Sequence, residues 1–302
     1  MTATTQNRTG SAGLESADTD GSAHSGGSRL RIWIDGRVVD TPDEARVSAL
    51  DHGLVVGDGV FEALKVTAAG PFAVQRHLDR MTRSARALGL PDPDHQTVRS
   101  AIEAVLAGRE WAEGKIRITY TGGHGPLGSQ AAYGPQTLIV AAEPREVSPA
   151  ITTIATAPWR RNEHGALTGV KSTSYAENVR GLAYAHHHGA SEAIFLNTAG
   201  NVCEGSGTNV FCVYGDRVVT PPLSAGPLAG ITRELLLEWC AIEEADLTPT
   251  EAAQADEVFL TSSMRDVQAV RRWDELEYGA PGRITTQLAA EFARHSSDLI
   301  DP

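Results

Sequence analysis

The chain has 302 residues with a formal net charge of −12, and 41% of its residues are hydrophobic. This length predicts two domains, whereas the acidic charge and the lack of long Lys/Arg runs argue against a nucleic-acid partner. Cys203, Cys212 and Cys240 have no metal-type spacing, and no apolar stretch suits a membrane span or a signal peptide, so we expect a cytoplasmic protein.

Residues 1–28 are rich in Ser, Thr, Gly and Ala and almost lack large apolar side chains. Such a segment cannot bury enough surface to offset the entropy lost on ordering. We therefore predict a disordered tail before the first folded domain.

The next part of the chain, residues 29–145, predicts a small α/β domain. "LRIWIDGRVVD" contains Asp35-Gly36 between two short apolar runs, which is typical of a β-hairpin. "HLDRMTRSARALGL" and "TVRSAIEAVLAG" have apolar residues at helical spacing, and "KIRITYTGG" and "TLIVAAE" are typical of strands. Proline and charge interrupt the pattern at residues 143–149, where we place the linker.

The second part, residues 146–302, contains more strands. "EAIFLN", "NVCEG", "NVFCVY", "RVVTPP" and "EVFLTSS" predict strands, most of them in hairpin succession. "ITRELLLEWC" and the region near residues 250–255 predict helices. The whole chain is therefore predicted to be α+β, with a small domain followed by a larger strand-rich domain with flanking helices.

Lys171 stands in "GALTGVKSTSYAENV", just before a predicted helix. Ser174 and Glu177 have the spacing of a capping box, which predicts that the helix begins there. A charged lysine gains nothing from the positive end of a helix dipole, so a neutral, reactive amine fits this place better. The alternative is a solvated loop lysine, which is the common state of this residue type.

Pyridoxal phosphate enzymes need a lysine, an acid for the pyridine nitrogen, and donors for the phosphate. Glu204 ends an apolar strand and could be the acid, although it could also be an exposed edge residue. Gly230 precedes a predicted helix, so the amides of Ile231 and Thr232 could bind an anion, or could simply begin a helix. Three hydroxyl residues at 261–263 end another strand.

Seven motifs in order resemble the class IV, or fold type IV, pyridoxal phosphate enzymes. They are "LDHGLVVGDGVFEALKV", "QRHLDRMTRSARALGL", "GVKSTSY", "EAIFLNTAGNVCEGSGTNVF", "VVTPP", "LAGITRELL" and "EVFLTSS". This family includes branched-chain aminotransferases, D-amino-acid aminotransferases and aminodeoxychorismate lyases. The resemblance implies a two-domain fold type IV enzyme, a homodimer, with pyridoxal 5'-phosphate bound in the larger domain at the cleft between the domains.

The resemblance also implies a role for individual residues. Lys171 would be the catalytic residue, bonded to the cofactor and moving a proton to and from the substrate. Phe61 would form part of the substrate wall. The remaining cofactor contacts would be Arg80, Tyr175 near the phenolic oxygen, Glu204 at the pyridine nitrogen, and Ile231, Thr232 and Ser263 at the phosphate. Taken without the resemblance, Arg80 would be an ordinary charged residue on a helix surface.

The sequence departs from the family in "ITYTGGHGPLGS", residues 118–129. D-amino-acid aminotransferases and the lyases usually have an arginine here, whereas this chain has Tyr120 and His124. Either side chain could bind a substrate carboxylate, although less rigidly than an arginine. "HHH" at 186–188 predicts no metal site, because consecutive helical residues point in different directions.

Three functions are compatible with these motifs. The favoured one is an aminotransferase that moves an amino group between a branched-chain or similar amino acid and a 2-oxo acid. The second is a 4-amino-4-deoxychorismate lyase, which releases pyruvate and supplies aminobenzoate for folate synthesis. The third is a catalytically silent protein that binds a phosphorylated metabolite, but phosphate binding alone would need neither Lys171 nor Glu204.

Overall fold

The computed structural model describes residues 30–39 and 41–302, so the tail predicted over residues 1–28 lies outside the described residues. The first element is the predicted hairpin. Asp35 and Gly36 have φ of 51° and 81°, which is the backbone that a two-residue hairpin turn of the right twist requires.

The first part of the chain forms a six-stranded antiparallel sheet and three helices. Its strand order is β2-β1-β6-β5-β3-β4. The strands are β1 Arg31–Ile34, β2 Arg37–Val39, β3 Gly59–Thr67, β4 Gly70–Pro71, β5 Glu113–Thr121 and β6 Thr137–Pro144; the helices are α1 His52–Val55, α2 Val74–Ala87 and α3 His95–Leu106.

Helices α2 and α3 pack on one face of this sheet. Residues at alternate positions of β3, such as Val60 and Leu64, meet Leu78 and Met81 of α2 in a buried apolar cluster. One polar residue interrupts this face, because Glu62 also points toward α2 and is fully buried. The opposite face of β3 carries Phe61, which lies toward the second sheet.

The second part forms a nine-stranded mixed sheet with four helices. Its order is β12-β11-β10-β13-β14-β7-β8-β9, and β15 pairs with β14. The strands are β7 Ile151–Arg161, β8 Glu192–Asn197, β9 Val202–Gly205, β10 Asn209–Tyr214, β11 Arg217–Thr220, β12 Glu243–Glu244, β13 Glu257–Ser262, β14 Asp266–Trp273 and β15 Leu276–Glu277; the helices are α4 Ala176–His187, α5 Ile231–Trp239, α6 Pro249–Ala252 and α7 Arg283–Asp298. The two sheets with their helices confirm the predicted α+β class.

The predicted start of α4 needs correction. The cap residue is Tyr175 and the Ser174–Glu177 capping box does not form. Instead, the Ser174 hydroxyl donates to the carbonyl of Gly57 at 3.1 Å, while Glu177 forms an ion pair with Arg161. Contacts to other parts of the fold therefore replace the local pattern that the sequence indicates.

The buried face of α4 consists of small residues. Val179 is 62% exposed, whereas Gly181 and Ala185 are the buried positions. A Cβ atom at Gly181 would lie 2.5 Å from the Phe195 ring of β8. The helix packs closely through its small residues, so its larger apolar side chains do not mark the buried face.

The two sheets meet through polar contacts as well as apolar ones. Lys65 on β3 donates to both carboxylate oxygens of Asp266 at the start of β14, at 2.7 and 2.8 Å. Irregular chain at residues 145–150 connects β6 to β7. Over residues 30–39 and 41–302, no helix has the length and apolar character needed to cross a membrane.

The last residues of the chain hold the beginning of α2. The residue before this helix, Ala73, has a positive φ of 55° and offers no side-chain cap. The Asp301 carboxylate accepts from the amide of Gln75 at 2.8 Å, and the Ile300 carbonyl accepts from the amide of Ala73 at 2.8 Å. Asp301 therefore performs the capping task from a distant part of the sequence.

We predict that Asp301→Ala lowers the free energy of unfolding by about 0.5–2 kcal/mol, the usual cost of losing a helix cap. Urea unfolding followed by circular dichroism measures this change. Asp298→Ala is the matched control, because that exposed carboxylate approaches only Arg294 of its own helix α7, at 3.7 Å. Equal effects of the two substitutions would contradict the capping role.

Candidate active site

A cavity of about 750 Å³ lies between the two sheets. Its size is in the range of small-ligand sites. All seven residues predicted to contact the cofactor border this cavity: Arg80, Lys171, Tyr175, Glu204, Ile231, Thr232 and Ser263. They come from both domains and from five separate stretches of the sequence.

Lys171 is fixed through its backbone and faces an aromatic ring. Its carbonyl accepts from the Phe61 amide at 3.0 Å, and its Nζ lies 4.6 Å from the centre of the Phe61 ring. Burial lowers the pKa of Lys171 to about 8, with a further contribution from the charge of Arg80. The neutral amine that a nucleophile requires is therefore far more abundant near neutral pH than for an ordinary lysine, although the charged form still predominates.

Glu204 is held in place from two sides. One carboxylate oxygen accepts from the Leu228 amide at 2.9 Å, and the other lies 3.4 Å from Nε of Arg161. Burial raises the pKa of Glu204 above its usual range, and the charge of Arg161 opposes this rise. The alternative of an exposed edge residue does not hold, because the side chain is only 12% exposed and borders the cavity.

Tyr175 connects the lysine side of the cavity to the Glu204 side. Its ring meets Phe61 edge to face at 5.1 Å, and its hydroxyl donates to the Ser206 carbonyl at 3.0 Å. Burial, followed by the charge of Glu204, raises the pKa of Tyr175 to about 12. The phenol therefore stays a proton donor throughout the neutral pH range.

Arg80 forms a buried ion pair with Glu62. Nε and Nη2 donate to the two carboxylate oxygens at 2.8 and 2.6 Å, and Nη1 donates to the Ala229 carbonyl at 2.8 Å. Burial alone would raise the pKa of Glu62, but Arg80 and His77 outweigh it and hold this pKa far below its usual range. Glu62 is therefore ionised, and Arg80 is not an ordinary surface residue.

The N-terminus of α5 opens toward the same cavity. Gly230 is the cap residue and supplies no side chain, so the amides of Ile231 and Thr232 have no partner from the first turn. A Cβ atom at Gly230 would lie 2.0 Å from Oδ1 of Asn209, so only glycine fits here without movement. Ser263 borders the cavity from the turn between β13 and β14.

The three residues predicted at the substrate occupy different places. Phe61 is buried and touches Lys171 and Tyr175. Tyr120 packs in the apolar cluster of the first sheet, on the face opposite to Phe61, and is 7% exposed. His124 is exposed on a loop. Neither Tyr120 nor His124 borders the cavity of the single chain, and their substrate role stays a prediction.

Two further cations, Arg117 and Arg161, stand beside these residues and were not predicted from the sequence. Arg117 on β5 stacks on the Phe61 ring, with its Cζ 3.9 Å from the ring centre. Arg161 at the end of β7 stacks on Phe195 at 4.4 Å and approaches Glu204. Alternation along β5 places Arg117 on the same face as its partner strand's Ala63, so the strand period was the signal that could have found it.

The donors on one side of the cavity suit a phosphate group. A guanidinium has five N–H donors, and the three bonds of Arg80 leave two of them free. The open helix N-terminus adds two amides. Metal-type clusters of three His, Cys, Asp or Glu side chains do not occur in the described part of the chain.

Comparisons with known proteins identify the family and several relatives of this chain. The chain matches the family described as Amino-transferase class IV over residues 59–273. It is 30% identical to the branched-chain-amino-acid aminotransferase of Pseudomonas aeruginosa, covering 86% of this chain and 91% of the relative. It is 31% identical to the bifunctional aminodeoxychorismate lyase / D-amino acid transaminase of Mycobacterium tuberculosis, covering 77% of this chain and 87% of the relative.

A solved structure is similar over most of its length. The branched-chain aminotransferase of the thermophilic archaeon Thermoproteus uzoniensis, crystallised with norvaline, superposes with a TM-score of 0.80 at 29% identity. The match covers 87% of this chain and 93% of that structure.

The reactivity of Lys171 can be measured directly, because the chain has only three lysines. We predict that reductive methylation of Lys171 in the ligand-free protein reaches half of its maximal rate near pH 8. The neutral amine is the reactive form, and it is lost as the pH falls through the lowered pKa. Peptide mass spectrometry across a pH series gives the profile.

Lys115 on β5 serves as the internal control, since its labelling in the same samples reports how the reagent itself depends on pH. A Lys171 profile identical to that of Lys115 would show that the cavity does not perturb this amine.

Proposed function

This chain belongs to the class IV aminotransferase family, and from that premise we propose that it binds pyridoxal 5'-phosphate in the cavity between its sheets and transfers amino groups. The amino group of one amino acid would pass to a 2-oxo acid, so that the donor leaves as an oxo acid and the acceptor as an amino acid. The observation that carries the proposal is that one cavity unites an amine of lowered pKa, Lys171, with Glu204 and Arg80.

The proposed cofactor has an aldehyde, a pyridine nitrogen and a phosphate. When bound, it would supply the electron sink that stabilises charge at the substrate α-carbon. Lys171 would hold it covalently and carry the proton to and from that carbon. Glu204 would receive the pyridinium proton in a hydrogen bond, and Tyr175 would donate near the phenolic oxygen.

The phosphate would lie at the other end of the site. Arg80 would contribute its two free N–H donors there, together with the Ile231 and Thr232 amides and the Ser263 hydroxyl. Because these groups lie in a cavity between two sheets, the site would also exclude water from the reacting atoms.

We further propose that Arg117 binds the carboxylate of the substrate. It is the cation stacked on the same Phe61 ring that Lys171 faces, and it has no carboxylate partner among the residues the structure describes. This arginine would replace the one that the sequence lacks in residues 118–129. Apolar side chains at Ala63, Val170 and Met264 border the cavity and suit a branched-chain or similar apolar substrate.

Aminodeoxychorismate lyase activity is the second candidate, because one relative of 31% identity is named for both activities. Both reactions would use the same lysine and cofactor contacts. They differ in the outcome for the cofactor, which a transaminase leaves carrying the amino group and a lyase returns unchanged.

A homodimer in the cytoplasm is also proposed. The family resemblance supports the dimer, which light scattering can measure, and three free cysteines suit a reducing compartment.

We predict that the cofactor's visible absorption band disappears lastingly when a branched-chain L-amino acid is added without any oxo acid, and that a 2-oxo acid restores it. L-amino acids, D-amino acids and aminodeoxychorismate are tested in separate samples. A band that returns by itself with aminodeoxychorismate while pyruvate forms would instead establish the lyase.

Lys171→Ala is the control for this experiment, and it should abolish turnover with every substrate. Retained activity in this variant, or a wild-type protein that shows no such band after pyridoxal phosphate is added, would contradict the proposed function.

We predict that Arg117→Gln raises the KM for the amino acid about 10- to 100-fold with a smaller change in kcat, because a charge-assisted hydrogen bond contributes about 1.5–3 kcal/mol. Steady-state kinetics gives both constants. Lys115→Gln is the matched control, since Lys115 lies on the same face of β5, one strand repeat farther from Phe61 along the pairing with β3. An unchanged KM in Arg117→Gln would remove the carboxylate role.

A further inference from the structure

His77 of α2 lies between a carboxylate and a hydroxyl group from different parts of the fold. Its Nδ1 is 2.7 Å from Oε2 of Glu62 on β3, and its Nε2 is 3.4 Å from Oγ of Ser263 in the second domain. The ring is 1% exposed. Through His77, the wall proposed to hold the phosphate is connected to the buried ion pair of Glu62 and Arg80.

The ionised state of Glu62 determines which ring nitrogen of His77 carries a proton. A carboxylate only accepts hydrogen bonds, so Nδ1 must be the donor toward Glu62. Nε2 is then free to change its role. It accepts a hydrogen bond from the Ser263 hydroxyl when the ring is neutral, and it donates to that hydroxyl when the ring is charged.

A hydroxyl group has one hydrogen, so the role of Nε2 decides whether Ser263 can donate that hydrogen to a phosphate. If Ser263 donates to a neutral His77, only its lone pairs remain for a phosphate, which is itself an acceptor. If His77 is protonated, Nε2 donates to Ser263 and the serine hydrogen is free for the phosphate oxygen. Phosphate binding at Ser263 therefore favours the charged ring.

The charges of the groups around His77 also favour protonation of the ring when a phosphate binds. The groups facing His77 are Glu62 from β3, Arg80 from its own helix, Ser263 from the β13–β14 turn, and the more distant Lys171. Glu62 neutralises Arg80, so a phosphate dianion meets little net positive charge from this pair. Burial keeps the pKa of His77 below its ordinary value in the empty cavity, so the ring is neutral there.

We propose that His77 takes up one proton from solvent when a phosphate monoester binds beside Ser263, and that it acts as the positioning residue that turns Ser263 into a phosphate donor. The proposal deepens the proposed function, since that function brings a phosphate to this wall. No bond other than that to the proton forms or breaks. Between the pKa values of the free and the bound state, affinity should fall about tenfold for each unit of rising pH.

The test is calorimetric titration of the full-length protein, freed of cofactor, with pyridoxamine 5'-phosphate. Titrations in two buffers of different ionisation enthalpy, repeated between pH 6.5 and 8.5, give the number of protons taken up. In this range the phosphate, whose second pKa is about 6, is mostly a dianion. Pyridoxamine, which lacks the phosphate, is the matched ligand, and His187→Gln on the exposed end of α4 is the matched variant.

We expect the wild-type protein and His187→Gln to take up close to one proton more with the phosphorylated ligand than with pyridoxamine. His77→Gln should show no such difference in proton uptake between the two ligands, and its affinity should lose the corresponding pH dependence. Equal proton uptake in wild type and His77→Gln would overturn the proposal.

Ring ¹⁵N resonances of His77 provide a second measurement that does not depend on the variant binding the ligand. They should move from the neutral to the imidazolium pattern when pyridoxamine 5'-phosphate binds the wild-type protein, and a ring that stays neutral would overturn the proposal. Binding without proton uptake would leave the proposed function intact. A wild-type protein that binds neither pyridoxamine 5'-phosphate nor pyridoxal phosphate would instead refute that function.

Discussion

The buried ion pair between Glu62 and Arg80 is the interaction on which the rest of the site depends. Glu62 has no exposure and Arg80 is 5% exposed, and a single buried charge left without its partner costs about 3–5 kcal/mol. This cost disfavours any docking of α2 on β3 that would separate the two charges. Because Arg80 also donates to the Ala229 carbonyl, the same pair fixes the approach to α5, and three elements meet around one charge pair.

Arg80 serves two purposes in this arrangement. The charge of Arg80 helps lower the pKa of Lys171, which raises the share of neutral amine at neutral pH, and its two free N–H groups would serve the proposed phosphate. Glu62 limits both effects by neutralising part of the charge. A site with more positive charge would bind phosphate more strongly. It would also lower the pKa of Lys171 further, so that this amine would hold a proton less readily.

Much of the fold could be predicted from the sequence, because the signals are local. The Asp35-Gly36 turn requires positive φ, and α2 follows the spacing of its apolar residues. The start of α4 could not be predicted in this way, since Ser174 bonds to Gly57, which is distant in sequence. The position of Arg117 beside Phe61 was likewise not predicted. The alternation along β5 indicates which face of the sheet Arg117 occupies, but its stacking on Phe61 depends on pairing with a strand that is distant in sequence.

The cap that Asp301 provides for α2 has a consequence for synthesis on the ribosome. The two partners, Gln75 and Asp301, are 226 positions apart in the chain. Helix α2 therefore leaves the exit tunnel long before the residues that complete its first turn, and its frayed end must wait for them. Ordering of the first turn of this arginine-bearing helix therefore becomes one of the last steps of folding, whereas Arg80 and the apolar residues that pack α2 on β3 find their partners in the first part of the chain.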